Sequence, residues 1–224
     1  MKALRYVHAA NLHLDAPFCD LTHSMVQEEG LAEKVHAASF QALQRLEKLC
    51  LEQKPDFVLL TGDTALHGTN SIPAQLAFRH FCEALNAAEI QIFIARSQQD
   101  SLDGTSPSLD LPDNVLLFTE TYQKVLFSKE GEPHAVIHGI STKGTESDFC
   151  QAGLFQRDNN HENCFQLGLF ACALQEERNL PSSCSRNDLE KANLDAWALG
   201  QSSNPIIYSE NSPLILDPGN LTGL

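Results

Sequence analysis

The chain has 224 residues, 42% of them hydrophobic, which is enough for one well-buried domain or two small ones. Fifteen Lys and Arg stand against 29 Asp and Glu, a formal net charge of −14, and no basic cluster interrupts the acidic balance. Nucleic-acid affinity rests on Lys and Arg contacts to phosphate, so binding of nucleic acid by this domain alone is not expected. No apolar run reaches the roughly 20 residues of a membrane span, and the opening Met1-Lys2-Ala3-Leu4-Arg5-Tyr6-Val7 is too short in apolar residues for a signal peptide. The expected location is the cytoplasm, with no membrane partner.

In chain order, residues 3–9 read as a buried strand. Residues 30–53 carry Leu31, Val35, Ala38, Ala42, Leu46 and Leu49 at three- and four-residue spacing, which predicts a helix ended by Pro55. Phe57-Val58-Leu59-Leu60 reads as the next strand. Ser71 and Pro73 open a helix to about Ala88, with Ser71 as N-cap, and residues 90–95 form a third strand. This βαβαβ opening argues for a parallel sheet covered by helices. The second half is richer in strands, at 115–118, 122–127, 135–138, 165–170, 196–199, 206–208 and 214–216. A short helix is expected over 187–193, and polar loops over 142–163 and 175–186. Periodicity alone gives an α/β fold with mixed sheets.

The seven cysteines, at 19, 50, 82, 150, 164, 172 and 184, include no Cys-x-x-Cys pair. Reduced thiols are expected rather than a disulfide framework. Cys150, His161, Cys164 and Cys172 can be drawn as a zinc site, but their spacing matches no standard ribbon or finger, so they are read as unrelated.

Five short segments carry the most information: Ala10-Asn11-Leu12-His13-Leu14, Thr61-Gly62-Asp63, Ser97-Gln98-Gln99-Asp100, Gly168-Leu169-Phe170-Ala171 and Leu199-Gly200-Gln201-Ser202-Ser203. With Asp195-Ala196-Trp197-Ala198-Leu199-Gly200, His138-Gly139-Ile140-Ser141 and Asp217-Pro218-Gly219-Asn220-Leu221, the chain resembles the calcineurin-like metallophosphoesterases. The resemblance is greatest to the SbcD-like DNA-repair exonucleases of bacteria and covers nearly the whole chain. The family pattern would be Asp-Leu-His, Gly-Asp, Gly-Asn-His-Asp, Gly-Leu-Leu-His and Gly-His-x-His. The resemblance implies a four-layer α/β/β/α sandwich, spanning residues 1–224 as a single domain. Relatives continue into a capping domain and a helical segment that docks on an ATPase; because the sequence stops at Leu224, both are expected to be absent.

A dinuclear phosphoesterase needs two metal ions about 3.5–4 Å apart, held by carboxylates, imidazoles and an amide oxygen. By the resemblance, His13 matches a histidine ligand and Asp63 the bridging aspartate. Asn11 stands in place of an aspartate, Gln98 of the asparagine ligand, and Gln99 of the histidine that acts on the leaving group. Asp100, which would orient that histidine, is left without it. Ala171 offers no ligand atom, and Gln201 and Ser203 replace both histidines of Gly-His-x-His. An amide can donate a hydrogen bond but cannot shuttle a proton near neutral pH. The vestigial pocket is therefore Asn11, Gln98, Gln99, Asp100, Ala171, Gln201 and Ser203, with His13 and Asp63 as weak metal positions at most. Asp15, His67, Asp103, His138 and Cys172 lie near the motifs and are read as loop, packing or buried residues, and His8 as a plain strand residue.

The leading expectation is a non-catalytic metallophosphoesterase-fold protein, related to the DNA-repair exonucleases and serving as a binding or assembly module. It would carry no cofactor and would partner another protein, of ATPase type by the resemblance. The alternative is an active metal-dependent phosphoesterase or nuclease with a reduced or rebuilt site, using Mn or Zn. A third reading is a pocket whose amides and hydroxyls bind a phosphate or nucleotide without cleaving it; the scarcity of positive charge ranks it last.

Overall fold

Strand periodicity and two long helices organise the molecule. A computed structural model describes residues 3–14, 31–63, 71–97, 110–142, 150–172, 174 and 184–222. The first sheet is entirely parallel, in the order β1 (Tyr6–Ala10), β2 (Phe57–Gly62), β3 (Gln91–Arg96), β4 (Val115–Leu117). The second has six strands: β5 (Gln123–Lys129), β6 (Glu132–Ile140), β7 (Phe165–Phe170), β8 (Ala196–Leu199), then β10 (Leu214–Asp217) and, at the edge, β9 (Ile206–Ser209). Strands β6, β7, β8 and β10 run parallel, while β5 and β9 pair antiparallel at the two edges.

Alternation along each strand decides which layer it buries. On β2, Val58 and Leu60 pack with Phe78, Phe81 and Leu85 of α2 (Ile72–Ala87) and Leu43 and Leu46 of α1 (Leu31–Gln53). Phe57 and Leu59 face the other way, into a core shared with Ile137, Leu167, Leu169, Ala196 and Ala198 of the second sheet. Phe57 meets Phe127 across the sheets, ring centres 5.0 Å apart in an edge-on arrangement. The second sheet's outer face carries Trp197, Phe170 and Ile215 against Leu189 of α3 (Arg186–Lys191) and Phe155. The Trp197 ring lies where a Cβ on Gly168 would sit, and its indole N–H donates to the Leu189 carbonyl at 3.2 Å. The result is the mixed α/β, four-layer α/β/β/α sandwich expected from the motifs.

Local chemistry sets the ends of the helices. The Ser71 hydroxyl caps α2 by accepting from the Ala74 N–H, with Pro73 in the first turn. Helix α1 stops at Gln53, where Lys54 turns left-handed (φ 47°) and its N–H returns to the Cys50 carbonyl. Ser185 and Asp188 form a capping box on α3.

The strands expected at 122–127 and 135–138 are present as β5 and β6 and form one hairpin, turned by Glu130 and Gly131, both at positive φ. Two expectations need correcting. The polar stretch 142–163 contains two 3₁₀ turns, Gln151–Leu154 and Asn159–His161. Cys150 and Cys184 form a disulfide, against the expectation of reduced thiols; the sulfurs meet because the first 3₁₀ turn packs on the start of α3. Cys50, Cys82, Cys164 and Cys172 are free and buried.

Candidate functional site at the carboxyl ends of the strands

Parallel strands in both sheets place their carboxyl ends on one side of the sandwich, where open α/β sheets bind ligands. Asn11 and His13 follow β1, Asp63 follows β2, Ser97 follows β3, Ala171 follows β7, and Gln201, Ser202 and Ser203 follow β8. Gln98, Gln99 and Asp100, together with Asp15, His67 and Asp103, lie outside the described residues.

After β1 the backbone turns left-handed twice, at Asn11 (φ 48°) and His13 (φ 43°). Leu12 and Leu14 between and beyond them are buried in the helix-side core. The alternation leaves Asn11 and His13 to the site while two leucines anchor the loop. Backbone bonds fix it against β2: the Asn11 N–H donates to the Thr61 carbonyl at 3.0 Å, and the Leu12 N–H to the Asp63 carbonyl at 2.6 Å.

Asp63 is buried and held from several sides. The Ser97 hydroxyl donates to its Oδ1 at 2.8 Å, and His13 Nδ1 lies 3.4 Å from its Oδ2. Its backbone N–H donates to Asn11 Oδ1 at 3.2 Å. The other half of the Asn11 carboxamide, Nδ2, donates to the Ser202 carbonyl at 2.9 Å, across to the second sheet. Gly62 precedes Asp63 at φ 78°, and a Cβ there would overlap Asn11 Oδ1 and crowd the Gly200 carbonyl. Only glycine allows both the turn and the approach.

The β8 loop is shaped from below by buried Asp217. Its Oδ2 accepts from the Gln201 and Ser202 N–H groups at 2.8 and 2.9 Å, and its Oδ1 from the Gly219 N–H at 2.9 Å. Gln201 and Ser203 are exposed on that loop, whereas Ala171 is buried and brings only a methyl group.

Sequence reasoning brought Asn11, His13 and Asp63 into one place, and the structure does the same. It missed Ser97 as the hydroxyl on Asp63, Asp217 as the loop anchor, and His8 as more than a strand residue. His8 donates through Nε2 to the Thr61 hydroxyl at 2.8 Å, and that hydroxyl in turn donates to the Leu199 carbonyl at 3.0 Å. Desolvation holds the imidazole neutral, its pKa lowered to about 3, and its buried Nδ1, unprotonated in this tautomer, meets no donor. The one available signal was a strand histidine two positions from another inward-facing residue, Tyr6. His138 is likewise internal: Nε2 donates to Gln166 Oε1 at 3.0 Å and Nδ1 accepts from the Tyr122 hydroxyl at 2.7 Å. Burial lowers its pKa to about 4. The zinc site drawn from Cys150, His161, Cys164 and Cys172 is not assembled: Cys150 is bonded to Cys184, and His161 binds Asp158 at 2.8 Å.

Among the described residues no group of three or more His, Cys, Asp or Glu side chains could hold a metal ion. The described residues bring one imidazole and one carboxylate here, beside an amide already bonded at both ends, and this described set by itself does not fit a two-metal centre.

No protein-family profile matches the chain. It is 28% identical over 220 residues to the "Uncharacterized metallophosphoesterase YhaO" of Bacillus subtilis (strain 168), an alignment covering 97% of this chain and 53% of that protein. The chain thus spans about half the length of that curated relative. Among solved structures it is similar to TT1561 of Thermus thermophilus, with a TM-score of 0.53, 12% identity and 98% and 91% of the two chains covered. A second solved structure superposes with a TM-score of 0.51 at 9% identity, covering 96% and 90%. Over almost its whole length the chain is similar to a protein named as a metallophosphoesterase, and the two solved structures share its fold.

Proposed function

We propose that this chain is a non-catalytic member of the metallophosphoesterase fold, of the SbcD-like branch, that serves as a binding or assembly module for a protein partner. The observation that carries the reading is the state of residue 11. Where a metal ligand would be needed, the Asn11 carboxamide is bonded to Asp63 on one side and to Ser202 on the other. Around it stand Ala171, Gln201 and Ser203, which supply no imidazole. The sandwich is kept, with its strand ends and loop anchors, while among the described residues the donors for two metal ions are reduced to His13 and Asp63. By the resemblance, the partner is of ATPase type and the protein works in the cytoplasm.

The test is metal content after purification without chelator, incubation with Mn²⁺ and desalting, together with hydrolysis of bis-p-nitrophenyl phosphate and of short DNA. Near-zero metal and no turnover are expected. Turnover that requires Mn²⁺ and disappears in Asp63→Ala would overturn the reading.

A second reading has one observation in its favour. His13 Nδ1 and Asp63 Oδ2 are 3.4 Å apart, so an imidazole and a carboxylate meet beyond adjacent strand ends. The name of the Bacillus subtilis relative is consistent with an active phosphoesterase hydrolase. On this reading a single Mn or Zn ion would bind there and activate water for phosphoester cleavage, and one equivalent of metal would survive desalting in the wild type but not in His13→Ala.

A further inference from the structure

We infer that the Asn11 carboxamide is the cross-link that closes the site end of the sandwich, and that residue 11 is a positioning residue whose N–H donor is what the fold requires. Three features of the geometry assign this role. First, the carboxamide joins three strand ends, since it follows β1, accepts from Asp63 at the end of β2 and donates to Ser202 beyond β8. Second, its two neighbours fix its orientation. The Asp63 N–H can only donate and the Ser202 carbonyl can only accept, so oxygen must face the first and nitrogen the second. Third, the surroundings are built to this contact. Gly62 leaves room for the Asn11 oxygen, and Gly200 packs against Thr61, whose hydroxyl makes a parallel cross-sheet bond to the Leu199 carbonyl.

A carboxylate at position 11 could keep the bond from Asp63 but would set an anionic oxygen against the Ser202 carbonyl. Asparagine and aspartate differ little in volume, and both tolerate the left-handed backbone that residue 11 adopts at φ 48°. The difference between them at this site therefore isolates the donor. The inference goes beyond the proposed function and stands independently of it, because the cross-link is needed whether or not His13 and Asp63 hold an ion.

The experiment compares Asn11→Asp with wild type by thermal melting near pH 8, with and without Mn²⁺. A drop of several degrees is expected, and Asn11→Ala should show a drop of its own. Should Asn11→Asp fail to fold, the wild type still gives a direct readout. With ¹⁵N-asparagine labelling, the carboxamide protons that vanish in Asn11→Ser should be shift-separated and slow to exchange with solvent. Equal melting of Asn11→Asp and wild type, or fast exchange of those protons, overturns the inference. If the wild type retains Mn²⁺ and its carboxamide protons stay slow to exchange, the proposed function falls and the cross-link stands.

Discussion

Gly62 shows how much of the site is decided by single residues. Its φ of 78° is strained for any side chain, and the space a Cβ would need is filled by Asn11. Gly62→Ala therefore combines a left-handed penalty with overpacking, about 3 kcal/mol together. A urea titration should show that loss as a lower midpoint with an unchanged slope, and a Gly131→Ala control should cost less. Gly131 has the same sign of φ (78°) but open space around its Cβ position. Ser97 gives a contrasting case, because its hydroxyl is the donor to buried Asp63 Oδ1. Ser97→Ala leaves that oxygen one partner poorer at a buried position, at a cost of about 1–3 kcal/mol. The same urea titration reads it.

At the scale of elements, the Cys150–Cys184 bond ties the first 3₁₀ turn to the start of α3 across a separation of 34 residues. Closing a loop of that length in the unfolded chain is worth about 3–4 kcal/mol on the chain-entropy account. Reduction, or Cys150→Ala with Cys184→Ala, should lower the melting temperature and leave helices α1 and α2 last to lose hydrogen-exchange protection. The bond was invisible in the sequence because a separation of 34 residues says nothing about which thiols meet. Strands with two buried faces were easy to find by contrast. Phe57-Val58-Leu59-Leu60 and 196–199 are continuous apolar runs, 165–170 is interrupted by Gln166 and Gly168, and the described strands begin or end within two residues of them. Both strands of the β5–β6 hairpin were read, but not their ends at the turn: the outer strand exposes Gln123, Lys124, Ser128 and Lys129, and the turn is Glu130-Gly131 rather than Asn-Gly. At the site, the ligand positions could be read off the motifs, whereas the bonds that now occupy them could not. Nothing in Ala10-Asn11-Leu12 announces that an amide will reach a carbonyl 191 residues away.

On the whole molecule, charge and buried histidine act in different ways. A net charge of −14 repels phosphate, so a short DNA duplex labelled for fluorescence anisotropy should show no binding at about 0.15 M salt. The buried histidines set the response to acid. In the folded protein His8 and His138 resist protonation, His8 until pH falls to about 3 and His138 until about 4. In the unfolded chain both take up protons near the ordinary value of 6.5. Between these limits the unfolded state binds more protons, so stability falls as pH falls, by about 1.4 kcal/mol per pH unit for each histidine. The loss begins below 6.5, and His138 stops contributing near pH 4. Asp158 acts later: the His161 imidazole, then Lys124, hold its carboxyl at about 2, so its contribution is intact above the ordinary 3.8 and is lost only as pH falls from there toward 2. Acid unfolding should therefore start well above the carboxylate range and be a histidine effect first. Urea midpoints measured near pH 7, 6 and 5 should fall steadily. His138→Gln and His8→Gln should each flatten that slope, although both also lower stability near pH 7 by disturbing the bonds to Tyr122, Gln166 and Thr61. A midpoint that holds constant down to about pH 5 would mean that neither imidazole is kept neutral by the fold.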